Sequence, residues 1–493
     1  MLDIGFGWAS FGGVVIVFCY IIKILLSLKY WSDKHESERL TTFVTVTGLT
    51  LTLMCVMLIP VDILNVSTMS NSSVMYACIL AFALIIIPFT YFYYEEDDYD
   101  VSTGARVLGG CKYTAFLIVF TVVLLVVGAF IRPGSSKPVD NQNIKDWIEQ
   151  ELANQNAAEG SLMFAIACLT LLGFVVWICY TAYGFSAFPI GLIKGKRRVS
   201  DDRREINDDL HKTREKANYF RSKYASGKTM SADEEATMNL LKSKERVLSK
   251  HSARLESSNS GIKKILVIFR PFAFIFGFFF LLVSILIIIS IVLSIIDKLS
   301  SSVCGAACGF LTDYPNLKNP IDLMLSSTAP YFPLDYILLG LIIVYIYAVT
   351  ISGIVRIGIR FLWIKMYEFA PSKTVPQGLL IASILLMLSN LCLNIQIIQL
   401  APRYSLFGTQ VWYNATSNTV QPCSIDAPTD LCVMSQIGLL TSRIEMGTSF
   451  FGIVYYYATW GIVGAFLIGT LVSIFKRRDS NLQSFNNDSD EEI

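Results

Sequence analysis

A chain of 493 residues that is 53% hydrophobic and only 16% charged lacks the composition of a soluble globular protein, in which about a quarter of residues are charged. Lys and Arg number 40 against 39 Asp and Glu, a formal net charge of +1, so there is no global basic field to hold nucleic acid and no acidic excess to mark a disordered chain. The three histidines, His35, His211 and His251, all fall in hydrophilic stretches, which excludes proton relays or metal cages built from histidine at membrane depth.

A bilayer core of about 30 Å is crossed by about 20 apolar residues in a helix. Nine runs of that length lie at 5–28, 41–64, 74–94, 113–131, 160–183, 272–296, 335–355, 379–400 and 450–475, which predicts an all-α polytopic membrane protein with nine transmembrane helices. The first run has Asp3 in front of it and Lys23 and Lys29 behind, a pattern that reads as a retained helix rather than a cleaved leader. The organisation that follows is spans one to five in 1–183, a hydrophilic segment in 184–264, spans six to nine in 265–475 and an acidic tail in 476–493.

Orientation follows from the distribution of basic residues, which accumulate on the cytosolic side of short loops. Loops 29–40, 95–112, 356–378 and the tail carry 12 Lys and Arg in 71 residues, whereas loops 65–73, 132–159, 297–334 and 401–449 carry 7 in 124. The first set is therefore assigned to the cytosol and the N-terminus to the lumen. Two further signals agree with this. The sequons at Asn65, Asn71 and Asn414 fall in loops assigned to the lumen, and a fourth at Asn487 falls in the tail. Four of the eleven cysteines, Cys304, Cys308, Cys423 and Cys432, also fall in lumenal loops, where an oxidising compartment permits disulfides. Local closure of each near pair and crossed pairing are both open at this stage.

Within 184–264, Ile206, Leu210, Thr213, Ala217, Phe220 and Tyr224 recur at spacings of four and three, the signature of one helix face. Gly227 interrupts the pattern, Ser231 and Glu234 frame a capping box, and Leu241, Leu248 and Leu255 follow at intervals of seven. The pattern predicts a cytosolic helical hairpin between spans five and six. It reads either as a structural arm or as a docking surface for a cytosolic partner through Leu241, Leu248 and Leu255. Ahead of the hairpin, the basic run Lys194, Lys196, Arg197 and Arg198 is expected to anchor the fifth span to anionic lipid. The acidic run from Glu95 to Asp100 is expected to be a solvated face.

Charges at membrane depth are costly and carry functional suspicion. Asp62 and Asp335 sit in matching Pro-x-Asp contexts, at 60–62 and 333–335, and the topology places both at the lumenal edge. Asp335 is expected to cap the start of the seventh span. Asp62 stands at the end of the second span, where the helix dipole disfavours a carboxylate by ~0.3–1 kcal/mol. The pair are therefore candidates for gating or pH sensing. Asn390, Asn394, Gln396 and Gln399 of the eighth span, and the threonines of the second, are expected to join helices by hydrogen bonds.

No phosphate-binding G-x-x-x-x-G-K-[S/T] is present, nor an H-E-x-x-H, a G-x-S-x-G or a paired intramembrane Asp. No catalytic residue, metal site or enzymatic cofactor is expected, and the chain has no ATP site of its own with which to drive transport.

Five segments carry a resemblance: LIPVDILNVS at 58–67, PFTYFYYEEDDYD at 88–100, YTAYGFSAFPIGLIKG at 180–195, FPLDYILL at 332–339 and IDAPTDLC at 425–432. In order and spacing they resemble the limb-region family of membrane proteins, and within it the lysosomal cobalamin transport branch. That resemblance implies a lysosomal glycoprotein with nine spans that lets cobalamin (vitamin B12) leave the lysosome, with cobalamin as the transported ligand. It also implies work with an ABC transporter and a cytosolic cobalamin-trafficking chaperone. The alternative within the same family is a plasma-membrane receptor or endocytic scaffold.

The orientation predicts glycans on Asn65, Asn71 and Asn414 and none on Asn487. Replacing the first three by Gln one at a time is expected to shrink the glycosidase-sensitive mobility shift stepwise. A glycan mapped to Asn487 would reverse the orientation.

Overall fold

A computed structural model describes residues 43–53, 85–96, 103–130, 157–195, 199–224, 232–257, 270–301, 317–331, 333–361, 364–367, 369, 374–414, 418–423, 427–428, 431–447 and 449–476. Two units divide the chain, one of Met1–Ala187 with Leu282–Thr470 and the other of Phe188–Leu281 with Leu471–Ile493.

The elements are overwhelmingly helical. In chain order they are α1 (Phe43–Leu53), α2 (Ile87–Glu95), α3 (Thr103–Phe130), α4 (Ala157–Val176), a π-helical turn (Trp177–Thr181), α5 (Ala182–Lys194), α6 (Val199–Tyr224), α7 (Ala232–Ser257) and α8 (Arg270–Ser301). There follow α9 (Pro320–Thr328), α10 (Leu334–Ile357), α11 (Pro376–Leu400), α12 (Pro402–Phe407), α13 (Gln436–Gly447) and α14 (Ser449–Phe475). Two short antiparallel ribbons interrupt them: β1 (Ile359–Phe361) with β2 (Ile364–Tyr367), and β3 (Val411–Asn414) with β4 (Thr419–Pro422). Among the described residues, six helices are long and apolar enough to cross a membrane: Gly104–Gly128, Gly160–Lys194, Phe272–Leu299, Leu334–Ile357, Gln377–Leu400 and Phe450–Phe475. The first expected span lies outside the described residues. The second and third are represented by α1 and α2.

Two boundaries differ from the expected ones. The helix of the fourth span begins at Thr103, and that of the fifth runs on past 183 to Lys194. The latter is a rod of 35 residues, about 50 Å at 1.5 Å per residue and longer than a bilayer core. It carries Pro189 inside α5 and stops where Gly195 adopts φ 64° and donates its amide to the Gly191 carbonyl at 3.0 Å, a left-handed cap that glycine makes without steric cost.

In the first unit, the rod is held by glycines that let backbones meet. A Cβ on Gly353 would lie 2.1 Å from the Tyr180 carbonyl oxygen, and one on Gly184 would lie 2.3 Å from that of Val349. These reciprocal contacts bring α10 against the π turn and α5, and between them Thr181 and Thr350 share a hydroxyl hydrogen bond of 3.0 Å. On another side, a Cβ on Gly173 would lie 2.3 Å from the Leu388 carbonyl of α11. There the buried Trp177 donates its indole N–H to the Ser389 carbonyl at 3.0 Å. Small residues at helix contacts are how membrane helices gain dispersion without help from water. Aromatic packing completes the core: Phe174 stacks on Tyr455 of α14 at 4.9 Å, and the Tyr455 hydroxyl donates to the Ala167 carbonyl at 2.7 Å. Ser284 of α8 donates to the Phe185 carbonyl at 2.8 Å and bonds the Tyr345 hydroxyl at 2.6 Å.

The threonines of α1 bond within their own helix. Thr47, Thr50 and Thr52 donate to the carbonyls four residues earlier, those of Phe43, Val46 and Gly48. A helix offers its own carbonyls to hydroxyls at this spacing.

In the second unit, α6 and α7 pair as an antiparallel hairpin. Ile206, Thr213 and Ala217 of α6 and Met238 of α7 are buried, and Leu210, Phe220 and Tyr224 are half-buried beside them. The seam is stitched by Arg214 to Glu245 at 2.8 Å and by Glu234, which accepts from Lys223 at 2.9 Å and from the Tyr224 hydroxyl. Gly227 and Ser231 lie outside the described residues. Lys194, expected to meet lipid, instead donates its ammonium at 2.7 Å to each of the Ser473, Ile474 and Lys476 carbonyls, where a cation meets the negative end of α14.

Gly353→Ala is expected to cost about 1–3 kcal/mol, the range for overpacking, because the obstacle is backbone that cannot rotate away. It should appear as a lowered melting temperature in detergent. Gly340→Ala and Gly464→Ala, where no atom lies within 4 Å of the new methyl, are expected to leave the melting temperature unchanged.

Candidate functional site

One polar network of the first unit is built from α9, α12 and residues of α8, α10, α11 and α14. The sequence Asn319-Pro320 starts α9 in the manner chain physics favours: the Asn319 side chain accepts from the amides of Ile321 (3.0 Å) and Asp322 (3.5 Å), with Pro at the first helical position. The same amide donates to the Ser290 carbonyl at 3.1 Å and the Ser294 hydroxyl at 3.0 Å, both on α8. Ser294 donates to the Gln399 carbonyl of α11, and the Gln399 amide donates to Thr459 of α14 at 3.2 Å. One cap thus ties four helices.

Two carboxylates meet through one tyrosine. The Tyr404 backbone amide donates to Asp322 Oδ1 at 2.9 Å, and its hydroxyl donates to Asp335 Oδ2 at 2.7 Å. Tyr404 and Asp335 are each 1% exposed. Burial first, and then the Asp335 bond, push the Tyr404 phenol well above its ordinary value, so the tyrosine is the donor. Asp335 does not cap α10 with its side chain: Pro333 occupies the cap position and no side-chain bond is made there. The carboxylate lies in the first turn, where the helix dipole favours it, and its other oxygen is buried with no hydrogen-bond partner among the described residues. For Asp322, burial pushes the carboxyl up, opposed by the Tyr404 amide and the nearby Arg403.

Neighbouring charges complete the picture. Asp297 is buried and accepts from the Leu317 amide at 3.4 Å, and Lys298 is fully buried with its ammonium 5.6 Å from the Tyr456 ring centre. Asp297, Lys298, Asp322 and Tyr404 were not singled out by sequence, although Asn-Pro-Ile-Asp at 319–322 is a legible helix start.

Of the α11 amides, Gln399 bonds Thr459 of α14, and Gln377 donates to the Tyr94 carbonyl of α2 at 3.4 Å. Both polar atoms of Gln396, Oδ1 of Asn390 and Oε1 of Gln399 are buried without partners. Asn394 lines a cavity of about 20 Å³ with Thr170 of α4 and Thr441 of α13. That is room for a water, where drug-sized ligands need ~300–1,000 Å³.

The remaining sequence candidates are dispersed. Asp62, Asn65, Asn71, Cys304 and Cys308 lie outside the described residues, so no pairing of Asp62 with Asp335 is seen. Cys423 and Cys432 are joined to each other, Cα atoms 5.8 Å apart. Asn414 closes the β3–β4 ribbon opposite Thr419. Leu241 and Leu248 are half-buried on the face that carries Met238, so their stripe is used inside the hairpin. The outward apolar residues are Tyr219 and Leu240, 65% and 49% exposed. The side-chain surroundings of Leu255 are outside the description. Among the described residues no three His, Cys, Asp or Glu side chains are grouped to hold a metal.

Comparison with known families matches residues 9–267 to the LMBR1-like membrane proteins. The similarity to relatives extends over the whole chain: 62% identity to a probable lysosomal cobalamin transporter of Dictyostelium discoideum, covering 100% of both. The chain belongs to the LMBR1-like membrane protein family. It is also 32% identical to a probable lysosomal cobalamin transporter of Nematostella vectensis, over 99% of this chain and 98% of that one. Identity to the human lysosomal cobalamin transport escort protein LMBD1 is 32%, over 98% and 96%. No solved structure matches. For this LMBR1-like protein, then, the polar network lies in a chain whose relatives are named as transporters or escorts and not as enzymes.

Asp322 sets a pH dependence. Its carboxyl titrates above the ordinary 3.8 in the folded state, so the fold binds a proton more tightly than the unfolded chain, and stability rises as pH falls through the shifted value towards 3.8. The melting temperature in detergent is expected to climb on acidification. Asp322→Asn, which keeps an oxygen acceptor for the Tyr404 amide, should flatten that climb, and an unaltered profile would remove Asp322 from the account.

Proposed function

We propose that this LMBR1-like protein serves the export of cobalamin from the lysosome to the cytosol, as a multi-pass lysosomal membrane protein that assists an ATP-driven ABC transporter. The observation that carries this is the 62% identity, end to end, to a protein named for lysosomal cobalamin transport. The helper role is supported by the word escort in the names of the vertebrate relatives and by the lack of a phosphate-binding loop in the sequence. The water-sized cavity beside Asn394 fits structural hydration better than passage of a corrin.

In this reading the chain crosses the membrane nine times with its N-terminus in the lumen. Asn65, Asn71 and Asn414 carry glycans, and the α6–α7 hairpin faces the cytosol. The leucine stripe holds the hairpin together, which leaves Tyr219 and Leu240 as the outward apolar residues that a cytosolic cobalamin-trafficking chaperone would meet. The network of Asp322, Tyr404 and Asp335 then faces an acidic lumen. Acid strengthens the Asp322 side, and Asp335 is the gating candidate because one of its oxygens is buried without a hydrogen-bond partner among the described residues. Asp62 remains a second candidate on the sequence argument alone.

Cells lacking the protein are expected to accumulate labelled cobalamin in the lysosomal fraction, with cytosolic cobalamin depleted. Normal cytosolic cobalamin in those cells would favour the receptor or scaffold alternative.

A further inference from the structure

The β1–β2 ribbon carries both buried and exposed apolar side chains. It starts one residue after α10 ends at Ile357, and the chain re-enters a membrane-crossing helix at Pro376, so the ribbon lies at the level where two spans leave the bilayer core. Tyr367 packs inward: its hydroxyl lies 3.2 Å from that of Tyr91, and its Cβ would be 3.2 Å from a methyl on Gly378 at the start of α11. Ile359, its register partner, is buried. The register shifts between Ile359 and Arg360, leaving Met366 as the extra residue of β2, and Ile364 and Met366 are 69% and 47% exposed. Apolar side chains turned to water are unusual at such a place, whereas apolar side chains at the headgroup boundary are normal for interfacial segments.

Charge points to the same occupant. The segment 356–378 carries Arg356, Arg360, Lys365 and Lys373 against a single acid, Glu368. Arg360 is exposed, and its Nε donates to the Ile357 carbonyl at 3.3 Å. The remaining guanidinium donors form a planar fork suited to phosphate.

We propose that the β1–β2 ribbon is an interfacial anchor that seats Ile364 and Met366 in the acyl boundary of an anionic leaflet, while Arg360 binds a phospholipid phosphate. The cytosolic side of that leaflet rests on the topology proposed above. The ribbon would fix the ends of α10 and α11 at a set depth and make that depth sensitive to lipid charge.

The test uses the full chain in nanodiscs of phosphatidylcholine with and without phosphatidylserine, carrying Ile364→Cys or, as a second site, Met366→Cys, labelled with an environment-sensitive dye and compared with the parent chain. Blue-shifted emission that a shallow nitroxide lipid quenches, more strongly with phosphatidylserine, is expected. Arg360→Gln is expected to remove the phosphatidylserine increment. Water-like emission that the nitroxide does not quench overturns the anchor, as does quenching with no dependence on phosphatidylserine. Shielding of Ile364→Cys in cells but not in nanodiscs overturns it too, since a protein would then cover the face. In sealed lysosomes an impermeant thiol reagent reaching the site from the lumen overturns the topology instead, while quenching in nanodiscs would stand.

Discussion

Everything in the first unit follows from how closely two backbones approach at Gly184 and Gly353. With carbonyl oxygens 2.3 and 2.1 Å from where the missing side chains would begin, no other residue fits without moving a helix. Lipid tails are as apolar as leucine, so helices in a membrane gain little by hiding apolar side chains from one another. Close packing and a few interhelical hydrogen bonds, measured at ~0.6 kcal/mol each on average, must hold them together. The glycines supply the packing. The Thr181–Thr350 bond and the Trp177 indole bond to Ser389 supply the directionality. The π turn at Trp177–Thr181 lies at that crossing, with Tyr180 presenting the carbonyl that Gly353 receives.

A bundle fixed in this way can carry a strained feature. Asp335 sits on α10, the helix that the glycines lock, and Tyr404 reaches it from α12, which follows α11 with only Ala401 between. Asn319 reaches α8, and Ser294 and Gln399 carry the connection on to α14. Burial of Asp322 and Asp335 in such a framework is costly. Protonation of Asp322, whose carboxyl burial pushes up, would change the bond that joins α9 to the Tyr404 amide of α12.

Much of the helical layout was legible because length and apolarity alone define a membrane helix. The windows at 335–355, 379–400 and 450–475 lie within helices that extend past them by at most three residues at either end. The extension of α5 to Lys194 was not legible, because hydropathy marks the bilayer while helices end at caps, here Gly195. Lys194 reads as a lipid anchor until α14 is seen to end beside it. Asp297 and Lys298 fell just past the apolar window and read as loop. The Tyr404–Asp335 bond joins residues 69 apart in sequence, and the glycine contacts join still more distant ones, beyond the reach of periodicity. The leucine heptad was legible as a stripe, but sequence does not say whether a stripe faces its own hairpin or a partner.

With no phosphate-binding motif in the sequence, the proposed helper role leaves the energy for cobalamin movement to an ATP-driven transporter. The most direct measurement is efflux of labelled cobalamin from proteoliposomes holding this protein alone, with an acidic interior and with or without ATP outside. The account predicts efflux no faster than from empty liposomes under both conditions. Saturable efflux from the protein by itself, driven by the pH gradient, would contradict it and make the chain the carrier.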